Sequence, residues 1–251
     1  MKMNRRSFLS TISLLPLIGF NKALSQKIIS SSLNLGKNKI KKDIDNIVDL
    51  NPHLSYQILS KQGDKMSDGY LVPGKPDGMG AFVVNKKTVL IRNHELRQYH
   101  GLRQSAFSSP KKQIQELDYK HYDAKSFGGT TTLEYDHTSR KVTREYLSLS
   151  GTIGNCAGGT TPWGTWLSCE ESINKKQRNR ASHGYVFEIS PTSNSLETPN
   201  PLTKLGRFNH EAVAFDRFNH AYLTEDRSDG LIYKFIPKQE KSLQQGDLFA
   251  L

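Results

Sequence analysis

The chain has 251 residues, 35% of them hydrophobic, with 19 glycines, 10 prolines, two cysteines and a formal net charge of +11. That length allows one globular domain built as a single large β-fold, and nothing after residue 25 is apolar for long enough to span a bilayer, so no stable membrane anchor is expected. The positive charge suits an anionic, for instance phosphorylated, partner; no nucleic-acid motif accompanies it, and nucleic acid is not expected as a partner.

Residues 1–25 read as a targeting segment. Lys2, Arg5 and Arg6 precede a short apolar stretch over residues 8–20, and Ala23, Leu24 and Ser25 offer small residues for cleavage. The paired arginines in Asn4-Arg5-Arg6-Ser7-Phe8-Leu9 resemble a twin-arginine signal; an ordinary secretory signal is the competing reading. The expectation is a bacterial protein, periplasmic or secreted, handled by the twin-arginine export machinery. Residues 26–45 are polar and lysine-rich and predict a linker. From about residue 50 the pattern is short strands broken by Gly, Asp, Asn and Pro. Only residues 43–50 and 111–119 carry a helical tendency.

Internal repeats organise the remainder. Gly184-Tyr185-Val186-Phe187-Glu188-Ile189-Ser190-Pro191 matches Gly230-Leu231-Ile232-Tyr233-Lys234-Phe235-Ile236-Pro237, with a weaker copy at Thr131-Thr132-Leu133-Glu134-Tyr135-Asp136. In a second frame, Trp166-Leu167-Ser168-Cys169-Glu170 aligns with Tyr222-Leu223-Thr224-Glu225-Asp226 and with Val89-Leu90-Ile91-Arg92-Asn93, and Cys156 falls near Glu211. Such spacing predicts an all-β β-propeller, in which the first strand of each unit lines a central channel. A β-sandwich, the alternative, would bring no such convergence. In the propeller, Glu95, Cys156, Glu170, Glu171, Glu211 and Asp226 meet at one face.

Converging carboxylates repel one another unless cations neutralise them, so the pattern implies bound metal. Carboxylates suit calcium, and a thiolate suits a transition metal such as iron or zinc. The tetrahedral Cys/His spacing of a structural zinc site is absent from the sequence. Cys156 lies in a glycine-rich turn; Cys169, inside a strand, reads as core, although two cysteines in an exported chain could also pair as a disulfide. Glu170 and Glu171 point to opposite faces of an extended strand, so both reach the channel only where that strand has ended. His94 reads as a hydrogen-bonded structural histidine, and Trp163 and Trp166 as core. Arg227 reads either as a surface partner of Asp226 or as a binder of a phosphoryl oxygen, which a guanidinium engages with two donors. No nucleophile elbow or P-loop is present.

Taken together, Arg92-Asn93-His94-Glu95, Gly128-Gly129-Thr130-Thr131, Asn155-Cys156-Ala157-Gly158 through Cys169-Glu170-Glu171, Asn209-His210-Glu211-Ala212, and Glu225-Asp226-Arg227 with Gly230-Leu231-Ile232-Tyr233 resemble the PhoX-type alkaline phosphatases over residues 50–251. The resemblance implies a six-bladed propeller with a mixed iron–calcium cluster that hydrolyses small-molecule phosphate monoesters. By motif, Cys156 looks like the iron-binding thiolate and Glu95, Glu170 or Glu171, Glu211 and Asp226 like carboxylate ligands. Residues 46–251 supply about four blades at roughly 45 residues each, so a C-terminally incomplete propeller is expected, and a monomer. The alternatives are a non-catalytic, metal-stabilised binding scaffold or an inactive fragment.

Overall fold

A computed structural model of the chain describes residues 40–173 and 181–251. The targeting segment expected over residues 1–25, and most of the linker expected over 26–45, lie outside the described residues. The chain divides into two compact units, residues 1–58 and 59–251.

In the first unit, Lys41 and Leu50 form an isolated antiparallel bridge. The Asp43 carboxylate accepts hydrogen bonds from the Tyr56 hydroxyl at 2.7 Å and from the backbone N–H groups of Ile47 at 2.8 Å and Val48 at 3.3 Å. These bonds, that of Tyr56 foremost, hold its pKa down to about 2. The helix expected over residues 43–50 does not form. A side-chain oxygen takes the N–H groups that a helix would give to its own carbonyls.

The second unit is a succession of antiparallel strands. Strands β1 (Pro76–Val84), β2 (Lys87–His94), β3 (Gly128–Asp136) and β4 (Lys141–Thr152) form one sheet in the order β1-β2-β3-β4. Strands β5 (Asn155–Thr160), β6 (Trp166–Glu170) and β7 (Val186–Ile189) form a second, in the order β5-β6-β7. Strands β8 (His210–Phe215), β9 (Ala221–Glu225), β10 (Ile232–Gln239) and β11 (Ser242–Ala250) form a third, ordered β11-β10-β9-β8. One short helix, α1 (Pro110–Leu117), lies between β2 and β3, close to the helical tendency expected there, with Ser109 before it and Pro110 opening its first turn. The all-β expectation holds. Among the described residues the strands make three sheets and no closed barrel.

Each sheet is a simple up-and-down meander, and the sequence repeats fall on equivalent strands. Val186–Ile189, Ile232–Gln239 and Gly128–Asp136 are the third strands of their sheets; Trp166–Glu170, Ala221–Glu225 and Lys87–His94 are the second. These strands send buried apolar side chains into the interior, β3 chiefly through Leu133. Leu167, Cys169, Val186, Leu223, Phe235 and Leu243 form one buried cluster, and Ile91, Leu149, Trp166, Phe187 and Ile189 another. Burying a side chain of this size contributes about 1.5–3 kcal/mol. Trp166 also donates from Nε1 to Asn93 Oδ1 at 2.9 Å, and Asn93 Nδ2 donates to the Cys156 and Ala157 carbonyls at 3.1 and 2.7 Å. The end of β2 is thereby pinned to the start of β5.

The first strands of the sheets lie against one another. A Cβ on Gly78 would stand 2.7 Å from Ala157 Cα, and one on Gly159 would stand 1.9 Å from the Val213 carbonyl oxygen. Glycine at these two positions lets β1 approach β5, and β5 approach β8, backbone to backbone.

Candidate metal centre

The three first strands begin in the same way. Pro76 pairs with His94, Asn155 with Glu170, and His210 with Glu225, each joining the start of a first strand to the end of its second. In all three the ladder then slips, resuming at Met79, Gly158 and Val213. The residues carried by these irregularities include Asp77, Cys156 and Glu211. A bulge adds a residue to one strand and re-aims its side chain.

The residue following each second strand is also of ligand type. Glu95, Glu171 and Asp226 donate their backbone N–H groups to the carbonyls of Lys75 at 2.8 Å, Gly154 at 2.9 Å and Asn209 at 3.0 Å, each the residue just before a first strand. The unit of bulged first-strand donor plus acid after the second strand therefore occurs three times, as Asp77 with Glu95, Cys156 with Glu171, and Glu211 with Asp226.

These pairs converge in part, with Asp77, Glu95 and Asp226 outside the tight group. Ligand atoms of Cys156, Glu171 and Glu211 all lie within 4.8 Å of one another. Burial raises the pKa of Glu171 first, Arg97 opposes it, and the charges of Glu211, Asp226 and Glu95 help carry it up to about 6. Burial likewise raises Glu211, with Asp226, Asp77 and Glu95 adding to the rise against a hydrogen bond from Cys156. Asp77 is raised by burial and by Glu95. The Cys156 thiol is pushed far up by burial, then by Cys169 and Glu211. Its Sγ lies 3.2 Å from the His210 carbonyl oxygen, so the proton has an acceptor. One buried sulfur and two part-buried carboxylates at this separation, crowded by further acids, form a donor set that fits a cation once the thiol proton leaves.

Glu170 and Glu171, alike in the sequence, are separated by the structure. Glu171 follows the strand and joins the cluster. Glu170 is 0% exposed and is directed into the interior instead, which corrects its placement among the converging acids. Its Oε1 accepts from Ile153 N at 3.0 Å and from His183 Nδ1 at 2.6 Å, and its Oε2 from Gly184 N at 2.8 Å and Tyr185 N at 3.1 Å. His183 Nε2 donates onward to Asp123 Oδ2 at 3.0 Å. Burial pulls the His183 pKa down, but the hydrogen bonds and charges of Asp123 and Glu170 carry it up to about 9. This clamp fixes the segment leading into Cys156 from behind.

The arginine on the cluster is Arg97. Its Nε and Nη2 donate to Glu95 Oε1 at 3.1 and 2.7 Å, and Nη2 also to Glu171 Oε2 at 2.8 Å. Arg227 is instead 49% exposed and forked onto Asp229, with Nε to Oδ1 at 3.0 Å and Nη2 to Oδ2 at 3.2 Å. The surface-pair reading of Arg227 is thus the one its geometry favours, with Asp229 rather than Asp226 as partner. His94 is structural as expected: Nδ1 donates to the Gly74 carbonyl at 2.9 Å and Nε2 meets Thr131 Oγ1 at 2.9 Å. Cys169 is buried in the core, and neither cysteine is in a disulfide.

Sequence reasoning missed Asp77, Arg97 and the His183 clamp. Asp77 had a usable signal: in the frame of the repeats, Pro76-Asp77-Gly78 stands where Asn155-Cys156-Ala157 and His210-Glu211-Ala212 stand. The family profile described as "Alkaline phosphatase PhoX" matches residues 35–250 of the chain. No curated protein matches it.

Proposed function

The chain belongs to the PhoX alkaline phosphatase family, and from that premise we propose that it is an exported, metal-dependent phosphatase acting on small phosphate monoesters. The convergence of Cys156, Glu171 and Glu211 carries the metal-dependent part of this reading. Cys156 supplies a soft donor and Glu171 and Glu211 hard ones, a mixture that suits iron together with calcium. Glu95, Asp226 and Asp77 stand around them as further acids. Bound cations would neutralise phosphoryl charge and activate a nucleophile at the face where the first strands meet. The protein's own part is to hold those charges fixed before substrate arrives, through the bulges, the Asn93 bridge and the Glu170–His183 clamp.

The propeller of the family accounts for the three meander sheets and the shared geometry of their first strands. Export through the twin-arginine route to the periplasm or beyond rests on Arg5 and Arg6. Replacing both with Lys traps precursor in the cytoplasm; unchanged export would assign the ordinary secretory route.

The test of the catalytic reading uses the purified 251-residue chain, reconstituted with iron and calcium, on an aryl phosphate at alkaline pH. Phosphate release that a strong chelator abolishes supports it. Bound calcium with neither iron nor turnover favours a metal-stabilised scaffold.

A further inference from the structure

We propose that Arg97 is the residue that binds the substrate's phosphoryl oxygens, a proposal that rests on the phosphatase reading. The guanidinium lies 2.8 Å from the carboxylate of Glu171, one of the three residues whose ligand atoms converge. A phosphoryl group held at that centre therefore falls within its reach.

Wherever bound metal does not offset the acids, the surrounding charge favours a fixed cation at this point. Asp77, Glu95, Glu171, Glu211 and Asp226 influence one another's ionisation, so an approaching phosphate dianion meets a field of its own sign. Arg97 lies among these acids and is 26% exposed at its side chain, so it is reachable from solvent.

Its bonding leaves capacity for another anion. Nε and Nη2 hold Glu95 and Glu171, and none of these bonds uses Nη1. Glu95 anchors the fork through two donors, fixing the plane of the guanidinium before substrate arrives. The two hydrogens of Nη1 are left to donate charge-assisted hydrogen bonds to phosphoryl oxygens. The backbone is held as well: Arg97 N donates to His100 Nδ1 at 2.9 Å, and the neighbouring Leu96 carbonyl accepts from Gly154 N at 2.9 Å, two residues before Cys156. The arginine and the thiol are thus positioned by adjoining pieces of backbone.

The experiment compares wild type, Arg97→Ala, Arg97→Lys and Arg227→Ala, each loaded with iron and calcium. Inorganic phosphate binding is measured by calorimetry, and metal content by mass spectrometry. Expected is a phosphate affinity lowered roughly 10- to 100-fold in Arg97→Ala, the scale of lost charge-assisted hydrogen bonds, with metal content retained and a partial recovery in Arg97→Lys. Undiminished affinity in Arg97→Ala beside normal wild-type binding overturns the assignment alone, as does loss at Arg227→Ala with none at Arg97. Metal lost in step with phosphate would make Arg97 an organiser of the ligands and also overturn it. Metal-loaded wild type that binds no phosphate removes the phosphatase reading and this proposal together.

Discussion

At the scale of single residues, the site depends on which of two similar neighbours faces which way. Cys156 and Cys169 are both buried in the cluster that holds Leu167, Val186 and Leu223, yet only the Cys156 thiol also converges with Glu171 and Glu211. Cys156→Ser is expected to lose iron and any thiolate-to-iron absorption, whereas Cys169→Ser keeps both and costs about 1 kcal/mol of core packing. Equal, full iron content in the two variants would remove Cys156 as a ligand. The contrast was legible in part: the sequence marked Cys156 as a ligand and Cys169 as core, but it expected Cys156 in a glycine-rich turn, and the structure places it at the bulged start of strand β5. The separation of Glu170 from Glu171 was legible only as alternation along a strand. The choice between them was not, since it depends on His183, Gly184 and Tyr185 arriving from the segment that leads into β7 to satisfy one carboxylate. Arg97 was hidden for a related reason: an arginine two residues beyond a candidate acid looks like any surface charge until both its partners are in place.

At the scale of elements, the repeats marked the second and third strands more plainly than the first, of which only the correspondence of Cys156 with Glu211 was readable. Second and third strands bury apolar residues such as Ile91, Leu133, Leu167, Val186, Leu223 and Phe235, so their repeats survive as hydrophobic pattern. The first strands carry bulges that break the period of two, and β1 opens Pro76-Asp77-Gly78, which reads as a turn. Their close approach can be tested at Gly159. Alanine there would put a Cβ 1.9 Å from the Val213 carbonyl oxygen and force β5 from β8. The expected cost is about 2 kcal/mol, or roughly 4–8 °C in the melting temperature of a chain this size. An unchanged melting temperature would show that the strands are not held so tightly. The clamp behind β6 has a pH signature. The folded pKa of His183 is raised from 6.5 to about 9, so its stabilisation is fully present below pH 6.5 and is lost as pH rises through about 9. His183→Gln is therefore expected to cost roughly 3 kcal/mol near neutrality. The gap to wild type should narrow in chemical denaturation above pH 9; a gap independent of pH would mean that the imidazole is neutral in the folded protein.

Over the whole molecule, a chain of net charge +11 concentrates carboxylates at one face, and that arrangement opposes folding unless something neutralises it. Glu171 and Glu211 are part-buried beside further acids, so each adds repulsion that an extended chain would relieve in water. On the proposed reading the same crowding suits cations, whose binding to the folded state alone would add stability with concentration: about 2.7 kcal/mol at 100 times the dissociation constant. Folding and function therefore pull in opposite directions at these positions. Glu211→Gln removes one charge while keeping the shape. It is expected to raise the melting temperature of the metal-free protein by a few degrees, and to remove most of the rise that calcium gives wild type. Measuring both proteins with a chelator and with calcium separates the two effects. A variant less stable than wild type without metal, and still stabilised by calcium to the same extent, would mean that Glu211 is a structural residue and that the cations bind elsewhere.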